Sequence, residues 1–159
     1  WTTVPKFWRD EMNLSESFIG LIMAVNGALI VAFEMILVYS LEGRRKATYF
    51  ITIGLVICSL AFGSLLLPGP GKLVSLIMIL LITVGEIYAM PFMNSFWTAR
   101  SNEKNRGQYA ALYTISWGIA QTVGPFLSSL LVDATNFTVL FLVVMGVLLL
   151  GALGFARLK

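Results

Sequence analysis

Apolar residues along this chain gather into five long runs, at about 17–41, 47–67, 73–98, 108–132 and 137–156. Crossing a hydrocarbon core takes roughly 20 apolar residues of helix, and each run reaches that length. None alternates with the period of a barrel strand, so each reads as a helix. The connections LEGRRK, LPGPGK, RSNEKNRG and VDATN hold the glycines, prolines and charges that punctuate helices. The first run follows Asn13-Leu14-Ser15-Glu16, where Asn13 or Ser15 is the expected cap. The pattern predicts an all-α, polytopic membrane helical bundle with five transmembrane helices, in one domain over residues 1–159.

Composition sharpens this picture. The chain is 58% hydrophobic and 12% charged, with a mean hydropathy of +0.86, whereas a soluble domain carries about a quarter of its residues charged. The lipid bilayer is therefore the first partner. Arg44, Arg45, Lys46, Arg100, Lys104, Arg106, Arg157 and Lys159 fall on one set of connections, and Lys6, Arg9 and Lys72 on the other. The positive-inside rule puts the first set, and the C-terminus, in the cytoplasm. The net charge of +3 then needs no nucleic acid to explain it.

WTTVPKFW opens the chain without a basic leader or signal peptide. Residues 1–14 read as the periplasmic end of a preceding helix and loop, with Trp1, Phe7 and Trp8 suited to an interfacial belt. The expectation is a C-terminal fragment of a longer protein. Cys58 stands alone in an apolar run and reads as a packing residue. HExxH, GxxxxGK[ST], GxSxG and CxxC are absent, as is histidine. No enzyme, metal site or cofactor is expected.

Function inside a membrane should appear as polar residues at matching depths. Asn26, Glu86 and Gln121 lie near the midpoints of three different runs, with Glu34 deeper toward the cytoplasm. Thr83, Glu86, Met90 and Asn94 share one face of the third run, Asn26 and Glu34 one face of the first, and Tyr113, Trp117 and Gln121 one face of the fourth. Lipid would reject such stripes, and the simplest arrangement turns all three toward a shared cavity. An intramembrane carboxyl is costly and by default a functional candidate. Low dielectric disfavours the charged form of a carboxyl, which makes Glu86 the candidate for proton exchange. The competing reading is that these residues only hold helices together by hydrogen bonds.

Pro91 removes a backbone hydrogen bond just inside Glu86, a kink or a gating hinge. In GIAQTVGPFLSSLL, Ala120, Gly124 and Ser128 are spaced by four, as in close helix–helix contacts, and Pro125 is a second candidate bend.

Together these residues resemble the C-terminal half of a major facilitator superfamily transporter, over the whole chain. The family's loop motif, Gly-x-x-x-Asp-Arg-x-Gly-Arg-Arg, is partly matched: YSLEGRRK keeps Gly43, Arg44 and Arg45, with Ser40 at the aspartate position and Ile36 at the first glycine. Glu42 is a candidate partner for the cluster, and topology-setting charge is the alternative. The second signature resembles the family's antiporter motif, with Ala111, Ala120, Ser128 and Ser129 at its other glycine positions around Gly124-Pro125.

The resemblance implies helices 8 to 12 of a twelve-helix protein, whose N-terminal half is the missing partner. It implies alternating access, with helices 8, 10 and 11 lining the cavity and helices 9 and 12 peripheral. The expected activity is secondary active transport of a small organic solute across a bacterial inner membrane. Protons would couple it, and drug-efflux members are the most similar. A non-transporting sensor or structural membrane subunit is the alternative.

Overall fold

In a computed structural model the chain is all-helical across the described residues, 2–158, so Trp1 and Lys159 and the roles expected of them lie outside the description. A short helix α1 (Val4–Asp10) precedes α2 (Glu16–Leu41), α3 (Ala47–Ser64), α4 (Gly71–Thr98), α5 (Arg106–Ala134) and α6 (Phe137–Arg157). Helices α2 to α6 are each long and apolar enough to cross a membrane.

The ends follow local chemistry. Ser15, not Asn13, caps α2: its Oγ accepts from the Phe18 amide at 3.4 Å. Asn13 instead takes a left-handed conformation, φ 52°, which Asn tolerates better than most residues. That reverses the chain, and the Leu14 amide returns to the Trp8 carbonyl at 3.0 Å. Asn136 caps α6 through the Val139 amide at 3.0 Å. Helix α3 stops at Ser64, short of the apolar run's end at Leu67. There the amides of Leu65, Leu66 and Leu67 reach back three residues, to Phe62, Gly63 and Ser64, because Pro68 disfavours a helical predecessor.

Helix α3 is the hub, packed against α4 on one side and α6 on the other. Its contact with α4 is backbone-close. A Cβ added to Gly54 would lie 2.6 Å from the Gly85 carbonyl oxygen and 2.7 Å from Ala89 Cβ, and one on Gly85 would meet Cys58 Sγ at 2.5 Å. Lipid offers apolar groups the same environment as a neighbouring helix, so association rests on such close van der Waals contact and on interhelical hydrogen bonds. Toward α6, Ser59 Oγ donates to the Met145 carbonyl at 3.4 Å, while Thr52 Oγ1, which donates to the Thr48 carbonyl at 2.8 Å, lies 3.5 Å from the Ala152 carbonyl. At the opposite end from α1, Phe50 and Phe92 stack at 4.3 Å between α3 and α4.

Trp8 corrects an expectation. It does not face outward but is wholly buried, 0% exposed, in the cluster that includes Ile22, Phe62, Met78 and Phe141. Phe7 beside it packs on Phe137 and Phe141, with ring centroids 5.1 and 4.9 Å away. The turn at Asn13 folds α1 back over the ends of the long helices, where a large ring gains more contact than at the headgroups.

Candidate functional site

The sequence stripes on α2 and α4 meet. Asn26 projects from α2 and donates through Nδ2 to Thr83 Oγ1 at 2.9 Å and to Glu86 Oε2 at 3.3 Å, both on α4. Thr83 passes its own proton to the Ile79 carbonyl one turn earlier, at 2.6 Å, which leaves its oxygen lone pairs facing Asn26. Glu86 is 8% exposed and Thr83 3%. The i, i+3 spacing puts both on one face of α4, and the α2–α4 packing brings Asn26 across to them. The result is a carboxyl within the membrane span, held on a short polar chain between two helices.

Directly beside it, an apolar groove of about 320 Å³ runs between the same helices, lined by Leu29, Phe33, Leu37, Leu80, Thr83, Val84, Ile87 and Tyr88. Thr83 belongs to both the polar chain and the groove. The space suits a solute with an apolar body.

Other expected site residues lie elsewhere. Gln121 is exposed on α5, a helix with no buried residue among those described, whereas Asn26 bonds Thr83 and Glu86. The shared three-helix cavity is therefore not closed within this chain: α5 rests on α4 and α6 and leaves its stripe uncovered. Tyr113 reaches α4 by a ring contact, 6.0 Å from Trp97, and Trp117 follows it at 6.4 Å. Asn94 accepts from Trp97 Nε1 at 3.2 Å, so it serves this aromatic group and not Glu86. Glu34 is half-buried, and no ion pair joins it to a basic loop residue among those described.

Two structural expectations also change. Ala120 and Gly124 are exposed and Ser128 is half-buried, and nothing lies within 4 Å of a Cβ placed on Gly124. The small-residue contact is instead Gly54 against Gly85 and Ala89. Sequence could have found it, since Gly85 and Ala89 are spaced by four like the α5 stripe. Glu42 makes no ion pair with Arg44 or Arg45 among the described residues; Arg45 turns to the Tyr49 ring, 5.5 Å from its centroid. Gly43, at φ 77°, supplies the left-handed turn of this loop. Helix α4 stays continuous through Pro91 and α5 through Pro125; the missing N–H of Pro91 removes the bond that the Ile87 carbonyl would otherwise accept.

No curated protein and no solved structure matches the chain. The sequence model described as Major Facilitator Superfamily matches residues 1–159, from first to last. Five membrane-length helices and a polar contact between two of them agree with that match, and the chain belongs to the major facilitator superfamily of membrane transporters.

Proposed function

We propose that this chain forms helices 8 to 12 of the C-terminal half of a proton-coupled transporter of small organic solutes, in a bacterial inner membrane with its C-terminus cytoplasmic. The observation that carries the reading is Glu86, buried and bridged to α2 through Asn26. An ionised carboxylate accepts the Asn26 amide proton strongly, since charge-assisted hydrogen bonds are roughly twice as strong as neutral ones. Taking up a proton weakens that acceptor and loosens α2 from α4. Proton occupancy thereby biases the distance between two helices that flank a solute-sized groove, which is the coupling that alternating access requires.

The apolar groove beside Thr83 supports a lipophilic solute, and efflux is the matching direction. The uncovered remainder of α2 and the uncovered stripe of α5 support a cavity completed by an N-terminal half. Glu34, half-buried two turns from Asn26, serves on the cytoplasmic side of the same path.

The test is flux of a lipophilic cation into proteoliposomes of the full-length protein under an imposed pH gradient. Glu86→Gln keeps the shape and the Asn26 contact but cannot exchange a proton. Gradient-driven flux is expected to vanish while insertion and monodispersity are retained. Equal gradient response in wild type and Glu86→Gln would overturn the coupling role and leave Glu86 as a helix contact.

A further inference from the structure

The cations of this chain crowd one end of the bundle. Arg44, Arg45 and Lys46 follow α2, Arg100, Lys104 and Arg106 join α4 to α5, and Arg157 ends α6. Glu42 and Glu103 are the carboxylates in those connections. Neither forms an ion pair among the described residues, where the recorded pairs join Arg9 to Asp10 and Glu16 at the other end.

At the basic end a cavity of about 590 Å³ opens between the start of α3 and the end of α6. Arg45, Lys46, Thr48, Tyr49 and Thr52 line it from the α3 side and Leu158 from beyond α6. Lys46 and Thr48 also line an adjoining recess of about 210 Å³ that reaches Arg100. Three cations thus border two neighbouring recesses whose linings, among the described residues, include no carboxylate. Like charges gathered without a counter-ion repel each other, and an anion placed among them relieves that cost. Arg45 rests over the Tyr49 ring, which holds the guanidinium at the mouth without neutralising it.

The surface below the recess is apolar. Tyr49, Thr52, Val56 and Leu60 succeed one another at helical spacing on a single face of α3. Val56 and Leu60 are exposed, as are Leu149 and Leu153 on neighbouring α6. A ligand that fits both parts has an anionic phosphate head and a long apolar tail.

The geometry points to a phospholipid site: the phosphate of an anionic lipid is held by Arg45 and Lys46, and its acyl chains lie along Val56, Leu60 and Leu153. A soluble phosphate ester shares the head chemistry but makes no contact with those leucines and the valine. The site stands apart from Glu86 and does not depend on the transport reading.

The test reconstitutes the full-length protein in phosphatidylcholine vesicles with a minor fraction of phosphatidylglycerol, extracts it gently and counts retained phosphatidylglycerol by mass spectrometry. Arg45→Gln with Lys46→Gln is expected to lower retention about tenfold or more. Lys104→Gln with Arg106→Gln removes the same charge at the same end but outside the cavity, and should leave retention near wild type. Equal loss in both double variants would reduce the effect to surface charge and overturn the site. No loss in either would overturn it as well. Added glycerol 3-phosphate separates the two sources: failure to displace the lipid supports the lipid assignment, and full displacement at micromolar concentration would transfer the site to a soluble phosphate ester.

Discussion

Helix α4 carries Thr83, Glu86 and Pro91, and α5 carries Trp117, Gln121 and Pro125, at closely similar positions along helices of 28 and 29 residues. Yet 56% of the apolar window of α4 is buried and none of that of α5. The difference lies in what faces each helix. Helix α4 presents Gly85 and Ala89 to Gly54 of α3, so the backbones touch, and α2 then reaches its other side through Asn26. On α5 the small residues Ala120 and Gly124 have no neighbour that would fill their space. A polar stripe and a small-residue stripe state that a face must be covered; the covering helix must exist nearby for the contact to form.

The sharpest way to break that contrast is to add volume to both helices. Gly54→Leu should leave no monodisperse protein, since even its Cβ would collide with the Gly85 carbonyl. Gly54→Ala should cost about 3 kcal/mol, at the upper end for overpacking a tight contact. Gly124→Ala, whose added Cβ meets no atom within 4 Å beyond its chain neighbours, should cost far less, since only the ring of the adjacent Pro125 opposes it. Thermal unfolding midpoints in detergent read all of these, and similar losses at Gly54 and Gly124 would erase the distinction between the two helices.

A smaller effect isolates the polar contact. A double-mutant cycle of Asn26→Ala and Glu86→Ala should show a coupling of about 1 kcal/mol, typical of hydrogen bonds between membrane helices. The cycle pairing Asn26→Ala with Gln121→Ala should show none, and a coupling there as large as the first would place α5 at the site within this chain.

The smallest expected effect lies outside the spans. Asp10 accepts a hydrogen bond from Arg9 Nε at 2.8 Å, which, with the nearby charges of Arg9 and Lys6, holds its carboxyl below the ordinary 3.8. Its folded value is therefore depressed: the contribution is complete above pH 3.8 and is lost as pH falls through the folded value. Both side chains are exposed and screened, so Asp10→Asn should change the unfolding midpoint slightly at neutral pH and not at all at low pH. A midpoint difference that grows on acidification would contradict this sign.

Much of the architecture was legible in the apolar runs, because hydrocarbon demands length and closed backbone hydrogen bonding from every span. The helix ends lie within a few residues of the apolar runs' limits, and Pro68 explains the largest difference, at the end of α3. The Asn26, Thr83 and Glu86 meeting was half legible: helical spacing set the faces, but only packing decided that α2 and not α5 would supply the partner. Trp8 was misread because aromatic residues near a span end suit both the headgroup layer and a buried cluster. The turn at Asn13 decides between these, and a positive φ at Asn has no clear signal in sequence. Arg45 was read through its possible salt bridge, whereas the Tyr49 ring four residues later offered a nearer surface.

Cys58 is the only cysteine of the chain, and it sits 8% exposed where α3 meets Gly85 of α4. A thiol in that position is a clock already installed in the protein. A maleimide reaches it when the two backbones part, so the labelling rate read at this one residue by peptide mass spectrometry counts those partings. The same measurement in the presence of a transported solute would tell whether α3 and α4 move as one rigid block, or slide past each other during each cycle.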